Sequence, residues 1–317
     1  MNRGLNTRNV DADATRLSVI IPFYGTEAEL RRCLESLRTQ TERHFEVVII
    51  ADGMPLPPDV VRDLQQSGIT VSIRHNETNL GAFKSRLRGA DIAVGEFLWF
   101  LDHDDTVDAN FIEVMLDAAR RYSAQVVECP FRVISENNAV EFMQRFAEEQ
   151  TLVGANAILG NYLKGASFHN LANKIIDRSL FSRSMQQIGP LAVEKLNYAE
   201  DMLCALFVYK NAEAYRSTRA VYYNYFKRAD SNMNSRDVAT IKNSLRSLEV
   251  VMSKVVPLIR SEATASDIDV FLERELLWAL NRFLQLANGH ATDDIMSIMK
   301  SLYERYLAHL FPATRQA

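Results

Sequence analysis

Three carboxylates, Asp102, Asp104 and Asp105, follow directly on the apolar run FLWFL, and a fourth, Asp52, follows the apolar run VVIIA. In an open parallel sheet, ligands bind beyond the carboxyl ends of the strands, so acids at such places are the first candidates for chemistry. Several carboxylates crowded after a buried strand repel one another unless a cation or hydrogen-bond donors neutralise them. A hard divalent cation that keeps its waters and also takes substrate phosphates suits one or two carboxylates here. The competing reading is a capped turn into the helix that begins near Asp108. An Asp-x-Asp spacing alone is weak evidence, because Asp11-x-Asp13 and Asp267-x-Asp269 repeat it in a polar tail and at a helix start.

The elements that must position these acids alternate strand and helix. LSVIIPFYG (17–25) is a short, continuous apolar run closed by Pro and Gly, the pattern of a strand buried on both faces. TEAELRRCLESLRTQT follows, with Leu30, Cys33, Leu34 and Leu37 at helical spacing behind a Thr26–Glu29 capping box. FEVVIIADG (45–53) is a second buried strand. A helix around 58–66, a strand around 69–74, a helix around 80–93 and the strand EFLWFLDHDD (96–105) continue the alternation, which predicts an α/β fold with a doubly wound, mostly parallel sheet. Further on, the pattern predicts a helix over 108–122, a strand over 125–133, short helices and loops over 154–210, and the aromatic strand AVYYNYF at 220–226. From about 236 it is entirely helical. Leu272, Leu276, Leu280, Phe283 and Ala287 form one apolar stripe, and Ile295, Met299, Leu302, Tyr306 and Leu310 a second. The expected organisation is a polar tail over 1–16, a catalytic α/β domain over 17–235 and a helical extension over 236–317.

With 317 residues, 47% of them hydrophobic, the chain is long enough to bury a real core, which excludes a disordered protein. Its 36 Lys and Arg against 40 Asp and Glu supply no basic footprint for nucleic acid. The three cysteines, Cys33, Cys129 and Cys204, lack the paired spacing of a disulfide framework or a zinc site. No apolar stretch approaches the roughly 18 residues of a membrane span, and residues 1–16 carry no apolar leader segment. The expectation is a cytoplasmic protein.

Taken together, LSVIIPFYG, FEVVIIADG and NLGAFKSRLRGADIAVGEFLWFLDHDD resemble the family 2 glycosyltransferases with the GT-A fold, a Rossmann-like sheet flanked by helices. A weaker resemblance runs to about 235 through NKIIDRSLF, AED and YNYFKRADS. It implies that Pro22, Tyr24 and Asp52 line a nucleotide base pocket, with Asp52 accepting a hydrogen bond from uracil. Arg86 would approach the nucleotide or its phosphates. Asp102 and Asp104 would form the Asp-x-Asp pair, with Asp104 on a Mg²⁺ or Mn²⁺ that bridges the diphosphate and Asp102 nearer the ribose and sugar. Asp201 matches the family's catalytic base, and Arg228 and Ser231 resemble the basic and hydroxyl positions of a loop closing over the diphosphate. The chain departs from the family where Ala51-Asp52-Gly53-Met54 replaces the usual Asp-Asp-Gly-Ser, where Gly25 replaces a frequent Asn, and where Phe226 stands for an Arg.

The implied activity is inverting, metal-dependent transfer of a sugar from a nucleotide-sugar, a UDP-sugar first, to a hydroxyl of a glycan or lipid-linked acceptor. The family context is bacterial surface polysaccharide or lipopolysaccharide assembly. The alternatives are a non-catalytic carbohydrate- or partner-binding protein on the same fold and a sugar-phosphate nucleotidyltransferase. The latter needs a Gly-rich phosphate loop that PFYGTEAELRR lacks. Lys84 and Arg88 are expected on a solvated helix face, Trp99 in the core, and His103 in a packing role, its side chain opposed to the flanking acids on an extended segment. Residues 237–317 carry nine Lys and Arg against ten Asp and Glu, so their stripes lack the basic face of a lipid-bound helix. Packing on the catalytic domain is expected of them, with homodimer, acceptor or peripheral membrane contacts as further uses.

Overall fold

A computed structural model describes residues 16–191, 195–228, 235–287 and 292–311. The N-terminal half follows the predicted alternation: β1 (Leu17–Phe23), α1 (Glu27–Arg38), β2 (Phe45–Asp52), α2 (Pro58–Gln66), β3 (Thr70–Asn76), α3 (Ala82–Ile92) and β4 (Phe97–Phe100). Then come β5 (Thr106–Val107), α4 (Phe111–Tyr122), β6 (Val126–Glu128), β7 (Phe131–Ile134), β8 (Val140–Met143), β9 (Thr151–Val153) and α5 (Ala155–Leu163). They lead into β10 (Lys174–Asp177), α6 (Arg178–Ile188), α7 (Glu200–Asn211), β11 (Ala214–Ser217) and β12 (Tyr223–Phe226). The last segment is α8 (Val238–Glu262), α9 (Ala265–Leu272), a π-helical turn over Glu273–Leu277, α10 (Trp278–Ala287) and α11 (Asp293–Tyr306).

The main sheet runs β3-β2-β1-β4-β10-β6-β11-β9, and a smaller one runs β5-β12-β7-β8. β1 pairs in parallel with both β2 and β4, and β2 with β3, so four carboxyl strand ends emerge on one edge. β10 is antiparallel to both β4 and β6. This α/β architecture is the one expected, with three local corrections. The strand predicted over 125–133 is two strands in two sheets, because Pro130 has no N–H for the ladder and the chain changes sheets there. The segment NKIID, expected among helices and loops, is β10, a fully paired central strand. The strand predicted to run to Asp105 ends at Phe100, and the acids after it lie in a turn closed by the Asp105 N–H donating to the Asp102 carbonyl at 3.1 Å.

Alternation along the strands splits the core. Val19, Ile21 and Trp99 face α1, α2 and α4, where Trp99 stacks on Phe111 with ring centroids 4.6 Å apart. Ile20, Val48, Leu98 and Phe100 face the other side and share one apolar cluster with Leu203, Leu248, Leu276, Leu280 and Leu302. The C-terminal helices therefore close one face of the sheet, and the two apolar stripes read from the sequence are the surfaces that do so. Behind this cluster lies a buried polar knot. The Lys174 ammonium, 1% exposed, sits 3.8 Å from the Glu128 carboxylate and donates to the Phe168 and Asn170 carbonyls. Tyr209 Oη donates to Glu128 Oε2 at 2.8 Å. The knot pins the 168–173 loop against β10.

Candidate active site

Several of the predicted donor-side residues sit where strands end. Pro22 is the last residue but one of β1, Asp52 closes β2, and Asp102 and Asp104 follow β4. Together with Tyr24, His103, Glu200 and Arg228 they line one cavity of about 540 Å³. Ser231 lies outside the described residues. Arg86 and Asp201 are one residue removed from the lining, and they meet each other beside it.

Asp52 is 3% exposed and already well supplied with donors. Asn76 Nδ2 and the Leu80 N–H donate to Oδ1 at 2.7 and 2.8 Å, and the Gly81 N–H donates to Oδ2 at 2.9 Å. A carboxylate has about four lone-pair sites, so one acceptor position is left for a ligand. The turn that makes this possible depends on Gly53, whose φ of +78° favours glycine and whose Cβ would lie 2.4 Å from the Asn79 backbone nitrogen. Arg88 lies exposed, as expected, and from there also donates to Asn76 Oδ1, so that it braces the residue that braces Asp52.

Arg86 is the hub of the site. Its guanidinium is 7% exposed and donates through Nη2 to Asp102 Oδ1 at 2.9 Å and through Nη1 to Asp201 Oδ1 at 2.7 Å, with Glu200 Oε1 at 3.5 Å. Arg86, which the family resemblance brings near the nucleotide or its phosphates, forms a clamp that joins the Asp-x-Asp turn to the start of α7. Arg86 lies on α3, and its reach to both acids follows from α3 packing against β1 and β2. The fork geometry of a guanidinium is what allows two carboxylates to be held at once.

Asp201 occupies the first turn of α7, where a helix N-terminus favours negative charge. The Leu171 N–H reaches its Oδ2 at 3.4 Å, from the loop that Lys174 pins. The helix is entered through Ala199 in the left-handed region, φ +64°, a conformation that costs an L-residue about 1–2 kcal/mol. Such strain directly before two acids is characteristic of functional sites. Beside it, burial first and Asp201 second push the Glu200 carboxyl up to about 7, against the pull of Arg86. Between its ordinary value and about 7 the folded protein holds a proton that the unfolded chain has released. Stability from this group therefore falls as pH rises through that window. The thermal midpoint of the wild type is expected to fall from about pH 5 to about pH 7 more steeply than that of Glu200→Gln. Equal slopes would show that Glu200 is not the group responsible.

The Asp102–Asp105 turn is held from below. Tyr223 Oη donates to Asp105 Oδ2 at 2.7 Å and the Phe226 N–H donates to Oδ1 at 2.8 Å. Burial and the two neighbouring acids push the Asp105 carboxyl well up, so its role is to anchor the turn rather than to carry charge to a ligand. Asp104 is also pushed up, by burial and then by Asp102. Arg228 pairs with Asp104 Oδ2 at 3.3 Å and with Glu29 Oε1 at 2.7 Å. Phe226, which stands for an Arg of the family, has the Arg32 guanidinium 4.0 Å from its ring centroid.

His103 differs from expectation in direction, because the turn aims it into the same cavity as the acids rather than away. It still packs, edge-on to Phe23 at 5.5 Å. It also occupies the space over Gly25, where a Cβ would lie 2.0 Å from its Nε2. A side chain at position 25 would have to displace this ring. Sequence reasoning missed Glu29, whose capping-box signal was legible but whose second oxygen reaches Arg228 across the fold. Burial raises Glu29, but hydrogen bonds from Thr26 and Arg228 hold it down to about 2. Lys195, Thr240 and Asn243 also line the cavity, and nothing in their local sequence marks them.

The solved structure of S. aureus TarS 1–349 superposes with a TM-score of 0.56 over 92% of this chain and 91% of that one, at 19% identity. TarS has been crystallised with UDP and with UDP-GlcNAc. GalNAc-T7 with UDP, GalNAc and Mn²⁺ gives 0.54 over 94% of this chain and 59% of that chain, at 16% identity. These likenesses show the GT-A fold. In sequence, EpsH of Bacillus subtilis, a glycosyltransferase by name, is 27% identical over 214 residues, 66% of this chain. The uncharacterized glycosyltransferase YibD of Escherichia coli is 34% identical over 115 residues, 36% of this chain. The chain spans 60% of the length of EpsH and 33% of that of YibD. The model of glycosyl transferase family 2 matches residues 18–187, more than half of the sequence, and the chain belongs to that family.

Proposed function

We propose that this chain is an inverting, metal-dependent glycosyltransferase that moves a sugar from a UDP-sugar to a hydroxyl of a glycan or lipid-linked acceptor in surface polysaccharide assembly. The observation that carries the reading is the Arg86 clamp, which ties the Asp-x-Asp turn to the acid at the start of α7 across one cavity. A binding protein has no need to couple these two acids through a buried cation. UDP as the nucleotide is supported by the TarS and GalNAc-T7 complexes. Polysaccharide assembly is supported by the likeness to the amylovoran biosynthesis glycosyltransferase AmsB of Erwinia amylovora, 31% identical over 34% of this chain.

The acids fit a Mg²⁺ or Mn²⁺. Asp102 and Asp104 offer hard oxygen donors side by side at the cavity, as a hard divalent cation requires. Among the described residues no group of three or more His, Cys, Asp or Glu forms a self-sufficient metal site, so substrate oxygens would complete the coordination. When bound, the metal would offset charge developing on the departing diphosphate. The chain's own residues supply the rest. Asp52 has one acceptor position for a base N–H, and Asp201 accepts the proton of the acceptor hydroxyl as that oxygen attacks the anomeric carbon opposite the diphosphate. Arg86 keeps Asp102 and Asp201 in fixed relation during the displacement. Arg228, between Glu29 and Asp104, is placed to meet phosphate oxygens.

The test is the thermal midpoint of the wild type and of Asp104→Ala with UDP, GDP, CDP and TDP, each with and without Mn²⁺. A ligand at about 100 times its dissociation constant stabilises the native state by about 2.7 kcal/mol. A Mn²⁺-dependent rise with UDP, lost in Asp104→Ala, is expected. No rise with any nucleotide would count against the transferase reading.

A further inference from the structure

The Asp52 end of the cavity carries a cation that none of the expected residues supply. Lys195, from the loop before α7, lines the cavity together with Asp52, Asn79 and Gly81. Its loop is fixed at the root, since Leu196 is buried in the apolar core and the Asn197 N–H donates to Ser247 Oγ of α8 at 3.1 Å. From there the Lys195 stem lies flat across Gly81, with two carbons 3.1 Å from where a Cβ would sit. The tip donates to Asn79 Oδ1 at 2.5 Å. That oxygen also accepts the Gly81 N–H at 3.0 Å, and the same N–H reaches Asp52 Oδ2 at 2.9 Å. The ammonium thus stands one shared N–H away from Asp52. It has three donors, and among the described residues it spends one of them. The other Lys or Arg of the lining, Arg228, is held at Asp104.

The strand order fixes the side from which Lys195 approaches. In the sequence β3-β2-β1-β4, Asn79 follows β3, Asp52 closes β2, and Asp102 and Asp104 follow β4. Lys195, tied to Asn79, therefore stands on the side of Asp52 away from the diphosphate acids. A uracil whose N3–H meets Asp52, with its ribose directed toward those acids, turns O2 to the ribose side and O4 to the Asn79 side. An acceptor at Asp52 with a donor beside it matches the N3–H and O4 of uracil. Cytosine presents the reverse there, a bare N3 and an amino group, which leaves a carboxylate facing a lone pair and an ammonium facing N–H groups. We propose that Lys195 donates to O4 of the uracil base and, with Asp52, sets the preference for a uridine over a cytidine nucleotide. The inference rests on the UDP-sugar reading above.

The experiment is calorimetric titration of the full chain, with Mn²⁺ present, by UDP and by CDP, the latter also read by displacement of UDP. Wild type is compared with Lys195→Met, which keeps the stem over Gly81 and loses the donors, and with Lys195→Arg, which keeps donors. Lys195 is exposed, so neither change disturbs the core. In Lys195→Met, UDP affinity is expected to fall about three- to tenfold, the effect of one hydrogen bond, and CDP affinity to change by less than about twofold. The preference for UDP narrows accordingly, and Lys195→Arg retains most of it. Equal losses for UDP and CDP would overturn the proposal and put the ammonium on the ribose or phosphates that both share. Unchanged affinity for both would overturn it as well, with the donor reading left standing. A wild type that binds UDP no better than CDP, or not at all, would overturn the uridine reading and this inference with it.

Discussion

Asp201→Asn is expected to lower kcat by about 10²–10⁴-fold, the usual contribution of a positioned general base. Donor affinity should be nearly unchanged. The asparagine oxygen can still accept from Arg86 Nη1, which Asp201 Oδ1 does now at 2.7 Å, so the clamp loses charge but keeps its geometry. The measurement is steady-state transfer together with UDP affinity on the same preparation. Full activity in Asp201→Asn would move the role of base to Glu200, which faces the cavity one residue earlier. A fall in both kcat and UDP affinity would instead mean that the asparagine had disturbed Asp102 through Arg86.

The second large effect is on stability. Arg86→Met leaves Asp102, Glu200 and Asp201 around a site without its guanidinium. Removing one partner of a buried pair typically costs about 3–5 kcal/mol, because the remaining charge stays desolvated. The cost is expected below that range here, about 2–3 kcal/mol, because the Asp102 side chain left behind is 37% exposed and that of Asp201 19%. Arg86→Lys should recover only part of it, because a single ammonium cannot present two parallel N–H groups to two carboxylates. Urea unfolding of the three proteins checks this. A loss below about 1 kcal/mol in Arg86→Met would mean that the acids escape to solvent or take up protons, and that the clamp is weaker than its distances imply.

How much of this was legible in the sequence depends on the range of the interactions involved. Continuous apolar runs such as VIIPF and VVIIA marked strands buried on both faces, because burial on both sides removes the need for alternation. The turn residues and acids that follow them marked the ligand edge. The capping box at Thr26–Glu29 and the apolar stripes of α9 to α11 were local signals of the same kind. Pro130 was visible too, but only the sheets themselves show that the chain uses it to pass from one to the other. The short β8 and β9 left no legible pattern, because edge strands of three or four residues carry too few positions for a period to show.

The candidate site divides along the same line. That Asp52, Asp102 and Asp104 are candidates for chemistry follows from their places at strand ends, which depend on neighbours a few residues away, whereas Asp201 is a candidate through the family resemblance. What each acid is bonded to depends on residues far off in the chain: Asp201 is 115 positions from Arg86, and Glu29 is 199 positions from Arg228. The turn at Asp102–Asp105 reversed the expected direction of His103 because Tyr223 and Phe226, from a different sheet, pull Asp105 inward. Residue types and local periodicity determined the fold class and drew attention to the acids at the strand ends, and the family resemblance added Asp201. The tertiary structure alone decided that Arg86 is a clamp and that α8 forms a wall of the cavity. Those outcomes come from long-range packing and pairing of charges, which no window of sequence contains.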